Sequence, residues 1–249
     1  MKIIIDGIET TASPGETLLD VARGLGIRIP TLCYHEAFGG KGVCRLCMVE
    51  VIAGGSARLV ASCTYPVTGE IEVRTTTPEI EQIRRNIIML LHRRAPGSEF
   101  IQDLYREYGC PGSVPAADPD ERCIMCRLCT NACETLGACA ITAVSRGTDK
   151  RIDTPYGEAS PDCIGCCACA EICPTKAIDV VRTADHYAIW NKEFDMERCA
   201  GCGRPFISRP YQAHISELVG QELSGEQLCP VCRKKQAGGV IADVHRNRS

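Results

Sequence analysis

Cys123, Cys126, Cys129 and Cys133 are spaced C-x2-C-x2-C-x3-C, and Cys163, Cys166, Cys169 and Cys173 repeat that spacing before Pro174. Short spacers let one loop wrap three thiolates around a single point, while the fourth arrives from further along. This is the ligand pattern of two [4Fe–4S] cubanes, and chance is a poor explanation for eight cysteines holding register twice. Cys199-x2-Cys202-Gly203 and Cys229-Pro230-x-Cys232 form two further knuckles, separated by 26 residues. Two C-x2-C pairs suit tetrahedral Zn²⁺, which is favoured because so small a module needs a staple. A mononuclear iron site of the rubredoxin kind or another iron–sulfur cluster would accept the same four thiolates, and His214 in place of one Cys is the less favoured variant.

Four more cysteines stand near the N-terminus, Cys33, Cys44, Cys47 and Cys63, with ten residues in the first gap and fifteen in the last. The first gap is longer than the four residues of the plant-type [2Fe–2S] spacing, which also has a distant fourth Cys. Buried structural thiols are the rival reading, but Cys44-x2-Cys47 inside a glycine-rich loop is poor core chemistry. Gly39, Gly40 and Gly42 would let the backbone pass close to cluster sulfurs and donate N–H groups. Of the nineteen cysteines, Cys110, Cys139 and Cys167 are left over. They are read as small packing residues, with redox sensing as the alternative.

The elements around these thiols divide the chain into four segments. In residues 1–77, Lys2–Ile5 is a β-rich run ending in the Asp6-Gly7 hairpin signal. Thr17 to Asp20 fits a capping box, with Gly24 or Gly26 ending the helix. Met48–Ile52, Leu59–Ser62 and Ile71–Thr75 read as strands, the first two around Gly54-Gly55. This predicts a small α+β domain of β-grasp arrangement. Residues 78–120 read as a helical linker: Thr77 caps, Pro78 is the first helical residue, and Ile80, Ile83, Ile87, Leu90 and Leu91 recur at helical spacing. A second helix starts at Ser98, and an exposed loop follows Cys110. Residues 121–194 hold the doubled array. Residues 195–249 hold the knuckles, with a short helix expected from Ile215 to Leu223 and a solvated basic run at Arg233, Lys234 and Lys235.

Composition narrows the function classes. Four Phe and one Trp in 249 residues do not build a large aromatic core. A disulfide framework needs an oxidising compartment, whereas no apolar leader is present and cluster ligands must be reduced thiols, so a cytoplasmic protein is expected. The apolar run Ile87–Leu91 is too short to span a bilayer, and a net charge of −3 argues against general nucleic-acid binding.

Residues 29–51, through Cys33, Cys44 and Cys47, resemble the [2Fe–2S] domain that opens the large iron–sulfur subunit of respiratory complex I and of [FeFe]-hydrogenases. Residues 123–178 resemble the two-cubane domain of the same families, including Cys133-Glu134, the Arg146-Gly147 to Thr154-Pro155-Tyr156-Gly157 connection and the Cys173-Pro174-x-x-Ala177-Ile178 ending. The chain is also similar to small diaphorase-linked subunits of NAD-coupled [NiFe]-hydrogenases and formate dehydrogenases. The resemblance implies a [2Fe–2S] cluster on Cys33, Cys44, Cys47 and Cys63. In such folds the fourth cysteine of each array crosses over, implying one cubane on Cys123, Cys126, Cys129 and Cys173 and another on Cys163, Cys166, Cys169 and Cys133. Separate arrays each holding their own cubane remain the alternative. Those families often carry a further cluster on one His and three Cys near His92. The close-set cysteines are missing here, so that cluster is expected to be absent and His92 to be a helix-end residue. The segments around Cys199 and Cys229 resemble zinc-ribbon knuckles.

The chain has no nucleophile elbow or P-loop, and Gly54-Gly55 and Gly238-Gly239 lie outside any dinucleotide fingerprint. The resemblance implies that it stops where the longer families begin their catalytic domain. The expected role is an electron-transfer subunit linking a flavin- and NAD(P)H-binding subunit to a hydrogenase or formate dehydrogenase catalytic subunit, or to ferredoxin. A free-standing polyferredoxin shuttle and a redox-sensing regulator are the other readings.

Overall fold

A computed structural model describes residues 1–112, 118–183, 185–221 and 227–246. It is a mixed α/β structure of two compact units. One comprises Met1–Asn131 with Ile172–Ala177, the other Ala132–Glu171 with Ile178–Ser249.

In the first unit, strands β1 (Lys2–Ile5) and β2 (Ile8–Thr11) form a hairpin. Its turn residues Asp6 and Gly7 both have positive φ, the backbone that a two-residue turn between right-twisted strands requires. Helix α1 (Leu18–Gly24) starts with the Thr17–Asp20 capping box. The two-residue strands β3 (Tyr34–His35) and β4 (Gly39–Gly40) pair in the loop that follows. Strands β5 (Met48–Ala53) and β6 (Ser56–Ala61) turn through Gly54-Gly55, and β7 (Ile71–Arg74) completes a sheet of order β2-β1-β7-β5-β6. Only β1 and β7 run parallel. Apolar side chains alternate on the strands, so Ile3, Ile5, Val49, Val51 and Val73 face Leu18, Leu19 and Ala22 of α1 in one buried core.

Helices α2 (Pro78–Arg94) and α3 (Glu99–Glu107) belong to the same unit. Thr77 and Ser98 cap them by accepting N–H groups from Ile80 and Ile101. They are therefore not a linker in the structural sense. Their buried Ile88, Ile101 and Tyr105 pack with Leu32, Cys33, Leu46, Ile124, Cys126 and Leu128 in a second core. Helix α4 (Leu128–Thr135) begins in this unit. The loop expected after Cys110 falls partly outside the described residues.

In the second unit, β8 (Thr142–Val144) pairs with β9 (Arg151–Asp153), and α5 (Ala168–Glu171) follows the second array. Strands β10 (Val181–Arg182), β11 (His186–Ile189), β12 (Lys192–Arg198) and β13 (Pro205–Ser208) form an antiparallel sheet in chain order. The domain boundary expected between residues 194 and 195 falls inside β12, whose hydrogen bonds to β11 and β13 bind both sides of it into one sheet. Helix α6 (Arg209–Val219) starts six residues before the expected Ile215, because Ser208 accepts the Tyr211 N–H and Pro210 presets the first turn. It ends at left-handed Gly220, and the remainder of that expected helix, at Glu222 and Leu223, lies outside the described residues. The basic run is part of helix α7 (Pro230–Arg246) rather than a tail, although Arg233, Lys234 and Lys235 are exposed as expected. No helix among the described residues is long and apolar enough to cross a membrane.

Candidate metal centres

The loop from Leu32 to Cys47 and the turn after β6 bring the four N-terminal cysteines together in two pairs. Cys33 and Cys44 Sγ lie 3.4 Å apart, and Cys47 and Cys63 Sγ lie 3.3 Å apart. Two thiols in contact can share one metal, and two such pairs match a two-iron rhomb with two thiolates per iron. Hydrogen bonding with Cys44 and Cys63 holds the Cys33 thiol far below its usual range, and hydrogen bonding with Cys63 lowers Cys47 to about 6. The same bonds, with burial, push Cys44 and Cys63 up. Each pair thus contains one thiol poised as the thiolate, the form that ligates metal. The loop passes so closely that a methyl group on Gly40 would come within 2.5 Å of Cys63 Cβ and 2.6 Å of its Sγ and carbonyl oxygen.

Sequence reasoning did not single out Arg84. It is 5 % exposed on α2 and reaches the same loop. Its Nε donates to the Leu46 carbonyl at 3.2 Å, and its Nη2 donates to the Met48 and Thr75 carbonyls at 3.1 and 3.0 Å. Leu46 lies between Cys44 and Cys47, so this guanidinium sets the height of the ligand loop over the sheet. An arginine four residues from both Ile80 and Ile88, on the apolar stripe of the helix, was the available signal.

In the doubled array the backbone repeats as well as the spacing. Met125 and Arg127 flank Cys126 with φ of 56° and 65°, and Gly165 and Cys167 flank Cys166 with φ of 68° and 59°. Left-handed backbone at bulky residues is strained and marks functional loops. Here alternating hands turn N–H groups inward as an anion-binding nest: Leu128 donates to Cys126 and Ala168 to Cys166. The fourth cysteines are also cupped, Cys133 by the Ala140 N–H at 3.2 Å and Cys173 by the Ala177 N–H at 3.3 Å.

Cys133, Cys163, Cys166 and Cys169 line a single cavity, together with Cys167, Ile189 and Trp190. Cys173 instead lies near enough to Cys123 and Cys126 to interact electrostatically with both. The division of the chain groups the cysteines the same way: Ile172–Ala177 belongs to the unit holding Cys123 and Cys126, and Cys133 to the unit holding Cys163. Burial pushes Cys126 up to about 11 and Cys169 up to about 12. Both thiols are stable as anions only opposite a cation. Gly165 is required by crowding, because a methyl group there would meet Phe194 Cδ1 and Tyr187 Oη at 2.7 Å.

The C-terminal knuckles converge tightly. Sγ atoms of Cys199, Cys202, Cys229 and Cys232 all lie within 4.8 Å of one another, and Cys202 and Cys229 are 3.8 Å apart. A tetrahedral site with metal–sulfur bonds of about 2.3 Å has sulfurs about 3.8 Å apart, so a single ion fits. The Cys229 N–H donates to Cys199 Sγ at 3.2 Å and lowers its pKa to about 6, while hydrogen bonding with Cys202 raises Cys232 to about 12. His214 is not part of this group; its Nε2 pairs with the Leu136 carbonyl at 2.7 Å.

Among the leftover residues, His92 sits in the last turn of α2 against the Tyr105 ring. Cys110 Sγ lies 3.8 Å from the Arg85 carbonyl. Cys167 is buried, its thiol near the Gly165 carbonyl and hydrogen-bonded to Tyr187. Cys139 is exposed rather than packed.

Residues 1–78 match the family described as the 2Fe-2S iron-sulfur cluster binding domain. The chain is 31 % identical over 206 residues to a subunit of the NADH-quinone oxidoreductase of Rhizobium meliloti, covering 72 % of this chain and 24 % of that protein. It is 31 % identical over 222 residues to NADP-reducing hydrogenase subunit HndD of Solidesulfovibrio fructosivorans, covering 76 % of this chain and 37 % of that one. It therefore spans about a quarter to somewhat over a third of these relatives. Among solved structures it is similar to a chain of an NAD+-reducing [NiFe]-hydrogenase in its H2-reduced state, at 29 % identity and a TM-score of 0.54, covering 61 % of this chain and 74 % of that chain. These matches bear out the resemblance carried by the cysteine arrays.

Proposed function

We propose that this chain is the electron-relay subunit of an NAD(P)H-linked oxidoreductase. Cys33, Cys44, Cys47 and Cys63 hold a [2Fe–2S] cluster in a β-grasp domain. Cys123, Cys126, Cys129 and Cys173 hold one cubane and Cys163, Cys166, Cys169 and Cys133 the other, in a ferredoxin-like module. Cys199, Cys202, Cys229 and Cys232 hold Zn²⁺ in a ribbon-like module. The observation that supports this reading is the placement of the fourth cysteines: Cys133 lines a cavity with Cys163, Cys166 and Cys169, while Cys173 neighbours Cys123 and Cys126.

Bound iron–sulfur clusters supply reversible one-electron storage. The protein's part is to orient the thiols, aim N–H groups at them and exclude water. Cys33, Cys44 and Cys126 pack in one core, so the N-terminal centre and the first cubane are held by shared side chains, and this supports a relay over three isolated stores. The names of the relatives, subunits of NADH- or NADP-linked oxidoreductases and hydrogenases, support a place among partner subunits; the partners proposed are a flavin- and NAD(P)H-binding subunit at one end, and a hydrogenase or formate dehydrogenase subunit or ferredoxin at the other.

Anaerobically purified protein should contain about ten iron atoms and one zinc per chain. EPR of the reduced form should show one [2Fe–2S] and two [4Fe–4S] signals. About six iron atoms would remove a cubane from the proposal, and about fourteen would restore a cluster near His92. A monomer that purifies without any flavoprotein would overturn the subunit role.

A further inference from the structure

The β11–β12 hairpin lies outside the cysteine arrays, yet its tip grips the loop of the second array at several points. Trp190 Nε1–H donates to Cys169 Sγ at 3.4 Å. Asn191 Nδ2 donates to the Gly157 carbonyl at 3.1 Å. Lys192 Nζ donates to the carbonyls of Ser160, Pro161 and Cys163 at 3.0, 2.9 and 2.7 Å. Lys192 makes no ion pair among the described residues. Trp190 and Ile189 also line the cavity shared by Cys133, Cys163, Cys166 and Cys169.

The turn itself is strained. Ile189 pairs with Lys192, so Trp190 and Asn191 form a two-residue turn with φ of 53° and 59°. Asn-Gly is the favoured pair there, and a bulky side chain at positive φ is an outlier. Such strain persists where surrounding contacts impose it. Here the contact is an indole N–H aimed at a cysteine sulfur.

We propose that this hairpin tunes the second cubane, with Trp190 and Lys192 as positioning residues that raise its reduction potential. The inference rests on the ligand set Cys163, Cys166, Cys169 and Cys133 proposed above. Sulfur bears more negative charge once an electron is accepted, so an N–H donor at Cys169 and a fixed ammonium beside Cys163 both favour the reduced form. The sequence repeat makes the two cubane loops alike. The hairpin makes them unequal and draws the electron toward the second.

The test uses the full chain with its clusters and an EPR-monitored redox titration. Trp190→Phe and Lys192→Met should each lower the midpoint of the same [4Fe–4S] signal, with the other two signals unmoved and iron content at the wild-type level. Lys192→Arg should restore the midpoint. Unchanged midpoints at full iron content, or a shift in a different signal for each variant, would overturn the inference. Trp190 is the only tryptophan, so indole ¹⁵N-labelling of the wild-type protein gives a check that needs no variant. A hyperfine coupling from that nitrogen to one reduced cubane is expected, and its absence refutes the hydrogen bond. A wild-type iron content of about six atoms per chain would overturn the ligand set itself, an outcome distinct from unmoved midpoints at full iron content.

Discussion

Replacing Arg84 should loosen the N-terminal centre without touching a ligand. The guanidinium satisfies three carbonyls, those of Leu46, Met48 and Thr75, and it makes no ion pair among the described residues. Hydrogen bonds to a charged group contribute about 1.5–3 kcal/mol each, so the gross loss in Arg84→Met is on the order of 5 kcal/mol. Part of that returns, because burial already disfavours the cation and lowers its pKa. The net is about 3 kcal/mol, in line with removing one partner of a buried charged contact. If the loop carrying Cys44 and Cys47 must lift for iron to leave, its open population rises about 100-fold. The assay is the rate at which a chelator bleaches the [2Fe–2S] visible circular dichroism under anaerobic conditions. Release about 100-fold faster is expected for Arg84→Met. Arg84→Lys should fall between, since one ammonium cannot span the fork. An increase below about threefold, or under 1 kcal/mol, would refute the role given to Arg84.

Gly40→Ala forces a methyl group against Cys63; overpacking of this kind costs about 1–3 kcal/mol, and the [2Fe–2S] signal should be lost while both cubane EPR signals stay. Tyr34→Phe removes a hydroxyl that donates to Asp20 at 3.1 Å, for a loss of about 1 kcal/mol in thermal or denaturant melts. Burial and that hydrogen bond raise the Tyr34 pKa, and the same bond helps to lower that of Asp20, so the wild-type advantage should be full between the unfolded aspartate value near pH 4 and the unfolded tyrosine value near pH 10. It should fade as pH rises through the higher folded tyrosine value and as pH falls through the lower folded aspartate value; an advantage that persists at alkaline pH would contradict the sign. Cys232→Ser, or mild chelation, should remove the zinc and the helical circular dichroism of α6 and α7 while iron content stays constant.

Local features were legible in the sequence because the chemistry that makes them is local. Asp6-Gly7, the Thr17–Asp20 box, Gly54-Gly55, Thr77-Pro78 and Ser98 each act on backbone within a turn of themselves. The sheet β10–β13 was not read, for an equally local reason. Its central turn is Trp190-Asn191 instead of a glycine pair, and β10 and β11 are too short to show alternation. Cutting the chain at residue 194 followed from that gap. At the candidate centres, spacing singled out Cys133, Cys163, Cys166 and Cys169, which share one cavity, but not Cys167, which lines the same cavity. The proposed exchange of Cys133 and Cys173 needed the family resemblance, because spacing alone fits two self-contained arrays. Arg84 and Trp190 escaped because their roles depend on carbonyls and a sulfur far away in sequence.

The exchanged ends of the arrays bear on biosynthesis. With the proposed ligands, three thiols of the first cubane are synthesised together, but the fourth, Cys173, arrives only after the whole second array has been made. The second cubane in turn depends on Cys133, made before its other three ligands. Neither array can close a cubane alone, so cluster insertion must wait until residues 123 to 173 are all outside the ribosome. A chain interrupted between Cys133 and Cys163 would retain three ligands of one centre and one of the other, completing neither. The connection is thus a checkpoint: the module loads as a pair or stays empty.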